Sequence, residues 1–283
     1  MRKQFIFGGI VLASLFCLVS CSPNQVKEET PKTQASLSAL PNTPVANTTP
    51  TMEITIDSSI RMEDLMGKIK PSQHPNFVVI ARKYASRNGM YLHKAAYQAF
   101  QEMHTAAAAD GISLTIKSAT RPFAAQKIIW EGKWTGKRLT SDGQNLAKTT
   151  PDPKARALKI LEYSSMPGTS RHHWGTDIDL NSFTNAYFEK GKGLKEYEWL
   201  VKNAPKYGFC QTYTPKGPER PHGYNEEKWH WSYLPVAQKL TEQYQLRLSD
   251  QDIKGFLGAE TAVEIEVVRK YVLGINQECL KSK

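Results

Sequence analysis

Gly175, Thr176, Asp177, Ile178, Asp179 and Leu180 alternate so regularly that this part of the chain reads as a short strand. Side chains on a strand point to opposite faces in turn, so Asp177 and Asp179 share one face and Thr176, Ile178 and Leu180 the other. Two neighbouring carboxylates repel each other unless a cation lies between them. A second alternating run, Trp229, His230, Trp231, Ser232 and Tyr233, sets three aromatic rings against His230. His172 stands just before the first run and Glu227 just before the second. Two imidazoles and a carboxylate can hold a zinc ion and leave its fourth position to water. A further carboxylate beside that water can take its proton. The residues therefore offer a complete metallohydrolase centre, in which alternation alone lets either Asp177 or Asp179 face the metal. Strict alternation would turn Glu227 toward the tryptophans and away from His230. For both to reach one metal, the chain must turn or bulge near Lys228.

Upstream, residues 112–118 alternate with Ile112, Leu114 and Ile116 on one face, which predicts a strand. Arg121 follows at the strand's end, just before Pro122, which stops the ladder. Residues 123–134 then read as a helix. A guanidinium at such a position suits a carboxylate or an oxyanion, because its planar fork grips two oxygens through parallel bonds.

At these positions the sequence resembles the VanY-like zinc D-alanyl-D-alanine carboxypeptidases, which trim bacterial cell-wall peptides. The family pattern Ser-x-His-x-x-Gly-x-Ala-x-Asp is met by Ser170, His172, Gly175 and Asp179, and the later Glu-x-x-His by Glu227 and His230. Ser-x-x-Arg with Gln five residues on is met by Ser118, Arg121 and Gln126. The similarity runs from about residue 66 to about residue 233 and departs from the pattern at Asp177, where the family usually has Ala. The resemblance implies His172, Asp179 and His230 as zinc ligands and Glu227 as catalytic base. It implies that Arg121, with Ser118 and Gln126, binds the substrate carboxylate or the oxygens of the tetrahedral intermediate. Asp177 would stand behind the ligands or face the substrate. Ser170 would hydrogen-bond the substrate or cap the turn before His172. His74, His93 and His104 read as structural histidines, whereas His173 and His222 lie near the motifs without standing at ligand positions.

Residues 1–20 combine Arg2 and Lys3 with an apolar run too short to span a membrane, which predicts a signal peptide. The run ends at Leu18, Val19, Ser20 and Cys21, similar to a bacterial lipobox, so Cys21 is expected to carry lipid. Residues 21–53 are rich in Ser, Thr, Asn, Gln and Pro and contain no aromatic residue, the composition of a tether that cannot bury enough surface to order itself. Residues 54–283 suffice for one catalytic domain.

Within that domain Leu92, Ala96, Phe100, Met103 and Ala107 recur at helical spacing and belong to a core. Residues 153–163, 197–207, 235–248 and 259–273 also read as helices, and 208–212 as a strand. Helices around a few short strands predict an α+β fold, and the resemblance implies a small antiparallel sheet carrying the metal site. The net charge is +10, and losing Arg2 and Lys3 with the signal, which holds no acid, leaves +8. A basic envelope protein is drawn to anionic wall or lipid polymers, and no nucleic-acid motif accompanies the charge. Cys17 leaves with the signal and Cys21 takes lipid, so Cys210 and Cys279 remain as an even pair in an oxidising compartment.

The expected function is zinc-dependent D,D-carboxypeptidase action on peptidoglycan stem peptides by a monomer anchored through Cys21 in the bacterial envelope, at the periplasm or cell surface. L,D-carboxypeptidase, D,D-dipeptidase or wall endopeptidase activity fits the same centre. A wall-binding lipoprotein without catalysis is the rival from another class, and Glu227 argues against it, since a structural zinc site needs no base.

Overall fold

A computed structural model describes residues 55–281. The expected signal sequence, Cys21 and the tether up to residue 53 lie outside the described residues. In chain order these comprise α1 (Met62–Leu65), β1 (Phe77–Val79), β2 (Tyr91–His93), α2 (Lys94–Ala109), β3 (Ile116–Ser118), α3 (Phe123–Trp134), α4 (Leu146–Thr149), α5 (Pro153–Ile160), β4 (Asp177–Leu180), α6 (Gly191–Asn203), β5 (Phe209–Gln211), β6 (His230–Tyr233), α7 (Leu234–Arg247) and α8 (Thr261–Ile265). β1 and β2 form an antiparallel pair, and a four-stranded antiparallel sheet runs β3-β4-β6-β5. The α+β expectation, with a small antiparallel sheet among helices, matches this architecture.

One face of the larger sheet is apolar. Ile116, Ile178, Leu180, Phe209 and Trp231 are buried there against Phe100 and Met103 of α2 and Trp199 and Leu200 of α6. A second core, around Trp130, Ile160, Trp174 and Tyr244, gathers α3, α5, α7 and α8. Asp177 pairs with Ser232 and Asp179 with His230 across β4 and β6. Partners in an antiparallel ladder share a face, so the polar residues of both strands point away from the apolar side.

β3 is shorter than the alternation over residues 112–118 predicts. Asn181, in the left-handed region at φ 61°, takes the place of a partner strand: its side chain accepts from Thr115 N at 2.7 Å and donates to the Ser113 carbonyl at 2.8 Å. A side-chain amide thus satisfies backbone groups that a longer ladder would have used. Within β3, Ile116 pairs with Leu180 but Ser118 with Asp179, two residues against one. This bulge carries Ser118 from the apolar face to the face of Asp179.

The helix expected over residues 259–273 is broken. α8 ends at Glu266, which adopts φ 60°, and the Val268 amide goes to Asp250 Oδ1 at 2.7 Å. That competing side-chain acceptor ends the α-helical ladder, and a π-type turn at Val268–Val272 follows. The helix expected over 197–207 begins earlier, at Gly191, and closes in a 3-10 turn. The helix at 123–134 has the predicted bounds. Cys210 and Cys279 form a disulfide with Cα atoms 5.8 Å apart, which ties β5 to the C-terminal segment.

Candidate active site

Ser170 leads into a 3-10 turn, Arg171–Trp174, that ends at Gly175 with φ 67°. A Cβ on Gly175 would lie 2.4 Å from a Phe77 ring carbon and 2.9 Å from Thr120 Oγ1, so only glycine combines this close approach with a left-handed turn. The turn delivers His172 beside the start of β4. Its Nδ1–H donates to the Ala119 carbonyl at 2.9 Å, which turns Nε2 toward Asp179 Oδ2, 3.3 Å away.

The turn expected near Lys228 is present. Lys228 and Trp229 form it, and the His230 amide closes it on the Glu227 carbonyl at 3.2 Å. Glu227 Oε2 thereby comes within 3.2 Å of His230 Nδ1, and Asp179 Oδ1 is also 3.2 Å from that nitrogen. The other ring nitrogen, Nε2, donates to Asp177 Oδ2 at 2.8 Å.

His172, Asp179 and His230 each offer one atom to a group that lies within 4.8 Å, all three side chains buried. This donor set suits zinc. Asp179 Oδ1 is buried and accepts no hydrogen bond among the described residues, despite its closeness to His230 Nδ1. Three buried carboxylates, of Asp177, Asp179 and Glu227, face two guanidinium groups, of Arg171 and Arg121, so the cluster lacks positive charge. The pKa shifts express the same imbalance. Burial disfavours a charged His230, yet the surrounding carboxylates of Asp177, Asp179 and Glu227 hold its imidazole well above the usual range. Burial likewise works against ionised Asp179, but His172 and His230 keep its carboxyl well below the usual value. A site that binds a proton so strongly between carboxylates is built for a cation. These residues fit a metal, with His172 Nε2, an Asp179 oxygen and His230 Nδ1 as its donors.

Both aspartates lie on the predicted face, and only Asp179 belongs to the metal-holding group. Asp177 is fully buried and saturated: besides His230, it accepts from Thr176 Oγ1 at 2.7 Å, Ser232 Oγ at 2.8 Å and Arg171 Nε at 3.3 Å. It therefore stands behind His230 and does not face a substrate. Arg171, which sequence reasoning passed over, also bonds Thr241 and Ser232 and lies over the Trp174 ring. The one signal for it was a basic residue set among motif residues six positions before an unusual acid.

Glu227 is buried, and this desolvation raises its pKa against the opposing pull of His230. Such a carboxyl is a better proton acceptor than an exposed one. Arg121 is clamped by its backbone, with its amide donating to the His172 carbonyl at 3.0 Å and its carbonyl accepting from His173 Nδ1. Its guanidinium donates to Gln126 Oε1 at 2.9 Å and Ser118 Oγ at 3.0 Å, and lies 3.9 Å from Asp179 Oδ2. Ser118 and Gln126 thus reach the site through Arg121. Ser170 Oγ is buried with no hydrogen-bond partner among the described residues and lines the cavity, and it makes no cap bond to the turn.

The other histidines have structural partners. His74 pairs with Asp64, His93 accepts from the Ala95 amide, and His104 packs on Tyr84 and Phe100. His173 bridges the Gly168 amide and the Arg121 carbonyl, and burial pushes its pKa down to about 3. The carbonyl of His222 accepts from Arg220, and its ring is outside the metal-holding group. A cavity of about 650 Å³ opens over Arg121, Ser170, His172, Asp179, Glu227 and His230.

The VanY family profile, described as D-alanyl-D-alanine carboxypeptidase, matches residues 89–236, slightly more than half of the chain. A D-alanyl-D-alanine carboxypeptidase of Enterococcus faecalis is 29% identical over 145 residues, 50% of this chain and 49% of the relative. YodJ of Bacillus subtilis, provisionally named a carboxypeptidase, is 29% identical over 163 residues, 56% of this chain and 53% of its own. The chain thus spans about half the length of the curated relatives it matches. Among solved structures, a variant of the vancomycin-resistance D,D-pentapeptidase VanY from a VanB-type cassette, in complex with Zn(II), aligns over 72% of this chain and 94% of that one, at 23% identity and a TM-score of 0.40.

Proposed function

The chain belongs to the VanY D-alanyl-D-alanine carboxypeptidase family, and from that premise we propose that it is a zinc peptidase that removes the terminal D-alanine from peptidoglycan stem peptides. The observation that carries this reading is Glu227. It is a buried carboxylate 3.2 Å from a metal-facing nitrogen and outside the metal-holding group, the position of a base.

His172, Asp179 and His230 would hold the ion. Bound there, zinc would supply an acidified water and a Lewis acid for the scissile carbonyl. Glu227 accepts the proton of the attacking water on a carboxylate oxygen and delivers a proton to the departing amine. Arg121, fixed by Ser118 and Gln126, offers its fork to negative oxygen, either on the reacting centre or on the terminal carboxylate. Ser170 Oγ, with its hydrogen-bonding capacity unused, is placed to bind the peptide. The Cys210–Cys279 disulfide supports an oxidising compartment outside the cytoplasm, consistent with anchoring through Cys21.

The test is release of D-alanine from a stem pentapeptide. Activity should vanish with chelator and return with added zinc. Glu227→Gln should retain the metal while turnover falls on the order of 10²–10⁴-fold. Wild-type turnover by that variant would assign the base elsewhere.

A further inference from the structure

Glu227 lies between two peptide units, and each unit is held at both ends. In the unit shared with Glu226, the Glu227 amide donates to the Tyr213 carbonyl at 2.9 Å, and the Glu226 carbonyl accepts from Asn185 Nδ2 at 2.9 Å. In the unit shared with Lys228, the Glu227 carbonyl accepts from the His230 amide at 3.2 Å, and the Lys228 amide donates to Asn185 Oδ1 at 3.1 Å. One side-chain amide thus closes both units. Its orientation follows from its partners, since a carbonyl only accepts and a backbone N–H only donates. A peptide unit is planar, so fixing the units on either side of an α-carbon fixes its φ and ψ, and with them the direction of the side chain. For Glu227 that direction brings Oε2 within 3.2 Å of His230 Nδ1.

Tyr213 follows β5 and His230 opens β6, so two of the four bonds come from the sheet. Asn185 comes from elsewhere, a segment between β4 and α6 that forms one wall of the cavity. The segment is anchored at its ends, by the Ser182 amide on the Leu180 carbonyl at 2.7 Å and by fully buried Phe188. Phe183, Thr184 and Ala186 between the anchors are exposed. Among the described residues, the hydrogen bonds that residues 183–186 make beyond residues 182–189 are the two of Asn185. A loop asparagine commonly bonds backbone groups of its own turn. Here the partners are 41 and 43 positions away and flank a single residue, the base.

We propose that Asn185 is the positioning residue of Glu227: its amide sets the backbone of the base from the cavity wall and bonds none of the metal-holding residues. The inference rests on the peptidase reading, in which Glu227 takes the proton of the attacking water.

The experiment is a double-variant comparison on the zinc-loaded full-length protein, read as D-alanine release from a stem pentapeptide. Asn185→Ala should lower kcat about ten- to a hundredfold with KM little changed, since a displaced base slows proton transfer and leaves peptide binding alone. In Glu227→Gln, which has no base to place, adding Asn185→Ala should leave the residual turnover unchanged. A role in general stability would lower both backgrounds alike. Zinc affinity, from competition with a chromophoric chelator, should equal that of the wild type. Equal losses in the two backgrounds, a loss confined to KM, or loss of zinc each overturns the inference, by assigning Asn185 to the fold, to the peptide or to His230. If Asn185→Ala is insoluble, Asn185→Asp decides on the same comparisons, because it keeps an acceptor for the Lys228 amide and loses the donor to Glu226.

A crystal structure of zinc-loaded Asn185→Ala separates the inference from the reading beneath it. A Glu227 carboxylate displaced in the variant, in a protein whose wild type never releases D-alanine, defeats the peptidase reading alone. A carboxylate that keeps its place, beside an active wild type, defeats the positioning role alone.

Discussion

The Nε2 proton of His230 is donated to Asp177 Oδ2 at 2.8 Å, and that bond turns Nδ1 toward Asp179 and Glu227. The acid found where the family usually has Ala therefore sets the tautomer and orientation of a metal-facing histidine.

Removing Asp177 should weaken metal binding about ten- to a hundredfold without abolishing it. Competition with a chromophoric chelator measures this directly, and Asp179→Ala in the same assay should lose the metal. Full occupancy in Asp179→Ala together with loss in Asp177→Ala would assign the ligand to the other aspartate.

Arg171 and Asp177 are both buried, so breaking their pair should be costly to the fold. Arg171→Met alone leaves a buried carboxylate with less compensation, and a loss of about 3–5 kcal/mol is expected. Adding Asp177→Ala should recover much of that stability while metal affinity stays low. Chemical denaturation of the zinc-free variants tests the first effect, and the chelator assay the second. If the double variant is no more stable than the single one, the two side chains do not act as a pair.

Arg121 should discriminate between free and amidated C-termini. Arg121→Ala is expected to reduce kcat/KM for the free acid by about ten- to a hundredfold, and far less for the terminal amide. Gln126→Leu should show a weaker form of the same bias, because it acts by holding the guanidinium. Equal cleavage of acid and amide by the wild-type enzyme would move the assignment to an endopeptidase.

The Cys210–Cys279 bond closes a loop with a sequence separation of 69 that contains Glu227 and His230. Loop-closure entropy puts its contribution at about 4 kcal/mol. Cys279→Ser should lower the melting temperature by several degrees in calorimetry, and a reductant should do the same to the wild type. An unchanged melting temperature in both would show that the crosslink does not contribute to stability.

Cys21→Ala should shift the protein from the membrane fraction to the soluble fraction. Persistence in the membrane fraction would reject lipid attachment at Cys21.

Much of the site was legible because alternation is a strong local signal. It placed Asp177 and Asp179 on one face, and the mismatch of parity between Glu227 and His230 required the turn that Lys228 and Trp229 make. Choosing between the two aspartates needed tertiary information, since Arg171 and the β6 residues Ser232 and His230 come from separate segments to bond Asp177, and Thr241 from another to hold Arg171. The apolar pattern of residues 112–118 could not show that Asn181 would take over its backbone groups. Nor could the helical pattern of residues 259–273 show that Asp250 would capture the Val268 amide. In each case a side chain distant in sequence competed successfully with a regular ladder.

The bulge in β3 makes one strand serve two compartments. Before it, Ile116 faces the apolar core; after it, Ser118 faces Asp179 and supports Arg121. The strand changes phase between them, so its spacing matters independently of its composition. An uninterrupted ladder that paired Lys117 with Asp179 would exchange the destinations of the side chains that follow. The guanidinium would lose its serine support while every residue type named in the site was still present. Substitution scans cannot reveal such a dependence; single-residue insertions and deletions can.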